Sequence, residues 1–178
     1  MNEQIGIEGS VLVVNVRDKN GQDVPIQSVL IDPNKENPGF LGPNLVVDGG
    51  RRALANLLAG VVGNQIAAVS FGKGDTPPKY DDTTLSPQPL TIDGSNQGGG
   101  NTLLLAGDAT SKAITDISLP SPYIVQVRFE LGYDDANGEV VREIGLWTES
   151  GVLFARKSIP GIIKSSENQL EMVWSLRV

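Results

Sequence analysis

The clearest pattern in the chain is the alternation of apolar and polar residues in its C-terminal half. Residues 123–131 and 170–178 both repeat with a period of two, which is typical of strands with one buried face. Their apolar positions are Tyr123, Val125, Val127, Phe129 and Leu131 in the first stretch, and Leu170, Met172, Trp174, Leu176 and Val178 in the second. The sequence Asp135-Ala136-Asn137-Gly138 predicts a turn into a third strand over residues 140–147. Strands joined by turns indicate a mainly β fold, an antiparallel β-sandwich.

One short α-helix is predicted over about residues 49–59, laid against the sandwich. Asp48 is placed to cap its N-terminus, and Gly60 is placed to end it. The buried face is predicted from the i, i+3, i+4 spacing of Leu54, Leu57 and Leu58.

The first 40 residues are predicted to form a β-hairpin arm that precedes a sandwich domain over residues 41–178. Asp18-Lys19-Asn20-Gly21 is a tight-turn sequence between two apolar segments. Because an isolated hairpin is only marginally stable, the arm must pack on the body or on a neighbouring subunit. The candidate assembly interface consists of one face of the arm and two basic residues near the start of the helix: Leu12, Val14, Val16, Val24, Ile26, Leu30, Arg51 and Arg52.

A long loop is predicted around residues 75–111. Four prolines lie between residues 77 and 89, and Ser95-Asn96-Gln97-Gly98-Gly99-Gly100 has little capacity for a packed element. The apolar run at residues 103–106 suggests a strand inserted between two loops. A loop of this length is usually functional, disordered or ordered by a partner.

Composition and charge exclude several function classes. The formal net charge of −7 repels phosphate backbones, so we expect no nucleic-acid partner. The chain has no Cys and no His, which removes thiol chemistry, the commonest general base and the commonest neutral metal ligand. It has no long apolar run and no apolar leader at its start, so we expect no membrane insertion and synthesis in a cytosol.

Motifs for metal and nucleotide binding fail on their spacing, so we expect no metal and no cofactor. A calcium loop that placed Asp135, Asn137 and Gly138 at its third, fifth and sixth positions would have Tyr133 first and Ile144 twelfth. A phosphate loop around Gly72-Lys73 would need Gly where Ala67 stands, and Ser or Thr where Gly74 stands.

Two further chemistries stay open at the level of sequence. Paired carboxylates such as Asp81, Asp82, Asp134 and Glu143 are the residues that a glycoside hydrolase uses, although a sequence does not show which of them face one another. Trp147 and Trp174 are candidate sugar platforms, but core packing explains both, because both lie in alternating strands.

The order of several short motifs resembles the attachment domains of tailed-phage fibre and baseplate proteins, the tail-collar fibre family. These motifs are the helical run at residues 47–60 (VDGGRRALANLLAG), the strand and glycine-rich turn at 66–74, the acidic proline-containing stretch at 77–85, and the strands at 142–147 (REIGLW) and 151–156 (GVLFAR). The resemblance covers about residues 44–178. In such fibre proteins the module is N-terminal and is followed by a shaft and a receptor-binding tip, whereas here the chain ends with the last strand.

The resemblance implies a non-enzymatic virion structural protein at the tail, neck or baseplate. It would be made in the host bacterial cytoplasm, form homo-oligomers and dock to neighbouring tail, neck or baseplate proteins. The alternative is a carbohydrate-binding β-sandwich that contacts the host envelope, with Trp147 as its candidate platform. A carboxylate-based hydrolase is a third possibility.

Overall fold

The computed structural model describes residues 7–85, 104–105 and 109–178, which form eleven strands, one α-helix and one turn of 3₁₀ helix. The elements in chain order are β1 (Glu8–Asp18), the 3₁₀ turn (Ile26–Val29), β2 (Phe40–Pro43), β3 (Leu45–Val46), α1 (Asp48–Leu58), β4 (Ile66–Gly72), β5 (Leu104–Leu105), β6 (Ala109–Ala113), β7 (Asp116–Ser121), β8 (Ile124–Leu131), β9 (Val140–Thr148), β10 (Leu153–Ile163) and β11 (Asn168–Arg177).

The strands form two antiparallel sheets. One has the order β2-β1-β11-β8-β7, and the other has the order β3-β10-β9-β4-β6-β5. The prediction of a mainly β, antiparallel sandwich with one short helix is therefore confirmed.

The main core lies between the sheets and rests on the strands whose alternation is clearest. Trp174 and Phe129 from one sheet are fully buried, and Phe129 packs at a 6.0 Å ring-centroid distance against Phe71 from the other. The predicted faces of β8 and β11 are confirmed within the strands. They fail only at the ends, because Tyr123 and Val178 lie just outside the strands and are 68% and 54% exposed.

The helix forms where predicted but buries a different face. Asp48 is its first residue rather than its cap, since Val47 occupies the cap position and no side chain bonds there. The buried residues are Gly50 and Ala53, whereas Leu58 is 85% exposed. The reason is tertiary: Val47 N donates to Phe154 O of β10 at 3.2 Å, so the first turn sits directly on that strand through its small residues.

The predicted arm is wrong in its second half. The turn is confirmed, because Gly21 N donates to Asp18 O at 2.9 Å and Gly21 has a φ of 77°. The return strand does not form: the backbone leaves β1 after bridging Arg17 to Asp23 and continues into the 3₁₀ turn. β1 itself is an inner strand between β2 and β11, so residues 7–40 contribute to the sandwich and its core rather than to a separate arm.

The buried face of β1 also differs from the predicted one. Val11, Val13 and Val16 are buried, whereas Leu12 is half-buried and Val14 is 41% exposed. The pairing with β11 shifts between Val13 and Asn15, which makes Val14 the extra residue of a β-bulge. A bulge inverts the alternation, and for that reason Val13 and Val16 point to the same side although they are three residues apart.

The predicted long loop falls mostly on residues 86–103 and 106–108, which lie outside the described part of the chain. The suggested inserted strand is described at Leu104–Leu105 alone, where β5 pairs with β6.

Candidate assembly surface and motif junction

Five of the six apolar residues predicted for the assembly interface line one groove, which we call the β1 groove. It encloses about 560 Å³ between β1, residues 23–27 and residues 37–39. The five residues are Leu12, Val14, Val16, Val24 and Ile26. The structure therefore brings them together, although not as the two strands of a hairpin.

Part of the β1 backbone along this groove has no strand partner. β2 pairs with residues 10–12 of β1, after which Val13 N donates to Gly39 O at 2.8 Å. Further along, Val16 O accepts from Val24 N at 2.9 Å. Within the described residues, no strand pairs with this side of β1 between those two bonds, a gap that holds only Val14 and Asn15 at the bulge. What the groove offers a partner is therefore apolar side chains rather than a strand edge.

The other three predicted interface residues lie elsewhere. Leu30 is buried and bridges to Ile162 of β10, so it belongs to the core. Arg51 and Arg52 are exposed on α1, and Arg51 borders a cavity that also includes Glu8. Glu8, at the start of β1, is six residues from Val14, which corresponds to about 20 Å along an extended strand. The two arginines therefore lie away from the β1 groove.

Arg156 of β10 connects three of the motifs on which the family resemblance rests, and we call this contact the Arg156 junction. Its Nε donates to Glu143 of β9, its Nη1 donates to Asp82 Oδ2 at 2.5 Å, and its Nη2 donates to Thr76 O at 3.1 Å. Glu143 and Arg156 are 0% and 3% exposed. The junction thus fixes the segment at residues 76–82 onto the outer face of the β9–β10 pair.

A second apolar cluster joins the same motifs beside that junction. It has one buried residue from each segment: Val47, Ala68, Leu85, Trp147 and Leu153. The outer face of the six-stranded sheet is therefore covered by the start of α1 and by residues 79–85, and that side forms a small core of its own.

Trp147 belongs to this small core and offers no open face. It is 3% exposed, and its indole N–H donates to Ser70 Oγ at 2.6 Å. Trp174 is fully buried in the main core. Core packing, the favoured interpretation of Trp147, is what the structure shows, and the alternative of a sugar platform does not fit because the covering segment hides the ring.

The carboxylates considered for hydrolysis do not form an accessible pair at the junction. Asp82 and Glu143 both bond to Arg156, and Glu143 is enclosed. A catalytic acid and base need access to the scissile bond from opposite sides. The arrangement instead resembles a structural ion network, in which every charge has a partner.

Sequence reasoning missed a buried lysine at the turn that superficially resembles a calcium loop. The ammonium of Lys164 donates to Ser165 O at 2.6 Å and to Asn137 Oδ1 at 3.3 Å. Burial lowers the pKa of Lys164 to about 8, and the nearby charge of Asp135 opposes that shift in part. Asp135 is itself buried and pairs with Lys112. No spacing rule signals this cluster, because its charges come from three separate elements.

Over residues 7–85, 104–105 and 109–178 there is no group of three His, Cys, Asp or Glu residues that could hold a metal ion, and no helix long and apolar enough to cross a membrane. No protein-family model, curated protein or solved structure matches the chain.

Proposed function

We propose that this chain is a non-enzymatic structural protein of a tailed-phage virion, a tail, neck or baseplate component similar to fibre attachment domains. It assembles with copies of itself and docks to neighbouring tail, neck or baseplate proteins. It is made in the host bacterial cytoplasm and is incorporated into the virion.

The Arg156 junction carries this proposal. The resemblance rests on five motifs whose order is similar to that of the tail-collar family, and a module built from them requires that they pack on one another. Arg156, Glu143 and Asp82 come from three of those motifs, and both carboxylates accept from the Arg156 guanidinium. The cluster that contains Val47 and Leu85 adds the remaining segments. The motifs therefore form one packing unit, which supports reading them as a single module.

The β1 groove is the surface we assign to self-association. Its apolar side chains are half-exposed at Leu12, Val24 and Ile26, and Val14 is 41% exposed, so a partner can bury them further. We infer that the occupant is a second copy of the chain, which buries these side chains in the proposed homo-oligomer.

The oligomeric state of the purified full chain tests this assignment. Mass photometry of the parent protein should give an oligomer, and Val14→Asp or Ile26→Asp should shift it toward the monomer at equal concentration. Val62→Asp is the matched control, since Val62 is 85% exposed after α1 and outside the groove. A monomeric parent, or equal dissociation in all three variants, contradicts the groove assignment.

The virion assignment has a separate test. Antibodies raised against the chain should label the tail, neck or baseplate of particles of the phage that encodes it, in negative-stain electron microscopy. Purified particles without the chain, as judged by mass spectrometry, would contradict the proposal whatever the oligomeric state.

A further inference from the structure

A polar cleft beside α1 has the features of a saccharide site, and nothing in the proposed assembly role uses it. We call it the α1 cleft. It encloses about 460 Å³ between α1, residues 79–83 and the turn before β10. Ligand pockets in proteins span about 300–1,000 Å³, so the cleft has room for one or two sugar rings.

Tyr80 gives the cleft an aromatic wall. The residue is 51% exposed. Its backbone carbonyl accepts from Asp48 N at 2.8 Å, and the ring itself is held on one face by the Arg51 guanidinium, 4.6 Å from the ring centroid. An aromatic ring fixed in this way loses little conformational entropy when a ligand stacks on it. The C–H face of a sugar ring is the apolar surface that such a wall accepts.

The polar groups of the cleft are of the kinds that bond to sugar hydroxyls. Asp48 and Asp81 have exposed carboxylates without a hydrogen bond or ion pair to any described residue. Asn64 is 7% exposed, its amide nitrogen donates to the backbone at Val61 and Val62, and its oxygen accepts from Asn56 at 3.3 Å. Asn56 also lines the cleft, and its side-chain amide is held by this bond to Asn64.

The charge of the cleft favours a neutral ligand. Asp82 is already paired with Arg156, so the other charged groups that line the cleft are the carboxylates of Asp48 and Asp81 and the guanidinium of Arg52. Two carboxylates exclude phosphate and acidic sugars, while Arg52, with Arg51 nearby, disfavours polyamines and basic peptides. We propose that the α1 cleft binds a neutral saccharide of one or two rings, with Tyr80 as its stacking platform.

The first test measures binding of the full chain to an array of immobilised neutral, acidic and amino-substituted glycans. The second is an NMR titration of the chain with four free neutral disaccharides: maltose, cellobiose, lactose and N,N′-diacetylchitobiose. We expect neutral glycans to bind on the array, where display of many copies strengthens a weak site, and at least one free disaccharide to bind in the millimolar range. If the chain binds neutral glycans on the array but none of the four free disaccharides, the site is assigned to a surface polysaccharide rather than to a free sugar.

Variants locate the site. Tyr80→Ala should weaken binding about tenfold or more, Tyr80→Phe should retain it, and Tyr123→Ala is the matched control because Tyr123 is 68% exposed on the other sheet. If Tyr80→Ala unfolds, Asp81→Ala replaces it, since the Asp81 side chain makes no hydrogen bond or ion pair with any described residue. A response to acidic or amino-substituted glycans alone, no neutral binding at all, or full binding by Asp81→Ala and Tyr80→Ala would overturn the proposal. None of these results bears on the virion tests above.

Discussion

Leu85 lies over Gly145, with its Cδ2 atom 2.8 Å from the point where a β-carbon on Gly145 would stand. Leu153 Cδ1 and Ser70 Oγ are the next nearest atoms to that point, at 3.1 and 3.3 Å. The glycine in the middle of β9 is therefore explained by close approach of a covering side chain. The nearest of these atoms, on Leu85, comes from a segment outside the strands and not from a neighbouring strand.

Gly145→Val should lower the free energy of unfolding by about 1–3 kcal/mol, the usual cost of overpacking. Gly145→Ala should cost less, because the nearest atom is the end of a flexible leucine. Combining Gly145→Val with Leu85→Ala should recover part of the loss, which is the coupling expected of residues in contact. Urea denaturation of the parent, Gly145→Val, Gly145→Ala, Leu85→Ala and the double variant measures this, and additive effects in the double variant would argue against the contact.

Arg156→Met should destabilise the protein by about 3–5 kcal/mol, because it removes the guanidinium that Glu143 bonds while that carboxylate stays buried. Arg128→Met is the matched control. Arg128 pairs with Glu171 at 2.8 Å, but both side chains are about a third exposed, so its loss should cost about 0–1 kcal/mol. Adding Glu143→Met to Arg156→Met should restore much of the stability. Equal melting temperatures for the two single variants would show that burial does not distinguish these pairs.

Lys164 should make stability depend on alkaline pH. Its pKa is about 8 in the folded protein and 10.5 for an ordinary lysine, so the unfolded chain binds more protons between these two values. The free energy of unfolding therefore gains a contribution that rises from pH 8 to pH 10.5, by at most about 1.4 kcal/mol per pH unit. Below pH 8 both states are charged and the destabilising contribution is complete.

The measurement is urea denaturation of the parent, Lys164→Met and Lys35→Met at several pH values in that window. The difference between the parent and Lys164→Met should change with pH, whereas Lys35→Met should run parallel to the parent because Lys35 is exposed. A constant difference for Lys164→Met would contradict the lowered pKa.

Deletion of residues 1–40 should unfold the domain rather than release an arm. The deletion removes β1, which separates β2 from β11 and contributes Val11, Val13 and Val16 to the core. Fully burying such a side chain is worth about 1.5–3 kcal/mol, and a domain of this size has only about 5–15 kcal/mol of net stability. Circular dichroism should show no cooperative melt in the truncated chain, and a native-like melt would restore the arm as a separate unit.

The sequence by itself determined the elements whose signal is local. Period-two alternation is enough to predict β8 and β11, because a strand with one face on the main core has the same alternating pattern wherever it lies in the sheet. The Asp18–Gly21 turn and the place of α1 follow in the same way from backbone preferences of a few residues.

Only the tertiary structure decided which faces are covered and by what. Residues 79–85 and α1 lie over the outer face of β9, and the alternation in β9 does not predict this. Trp147 and Glu143 are buried beneath that cover, beside contacts between residues distant in sequence, such as the bond from Arg156 to Asp82. The bulge at Val14 depends on the pairing of β1 with β11, and the exposure of Leu58 depends on how closely α1 approaches β10. Such contacts arise from packing between segments that are far apart in the chain, and no local pattern encodes them.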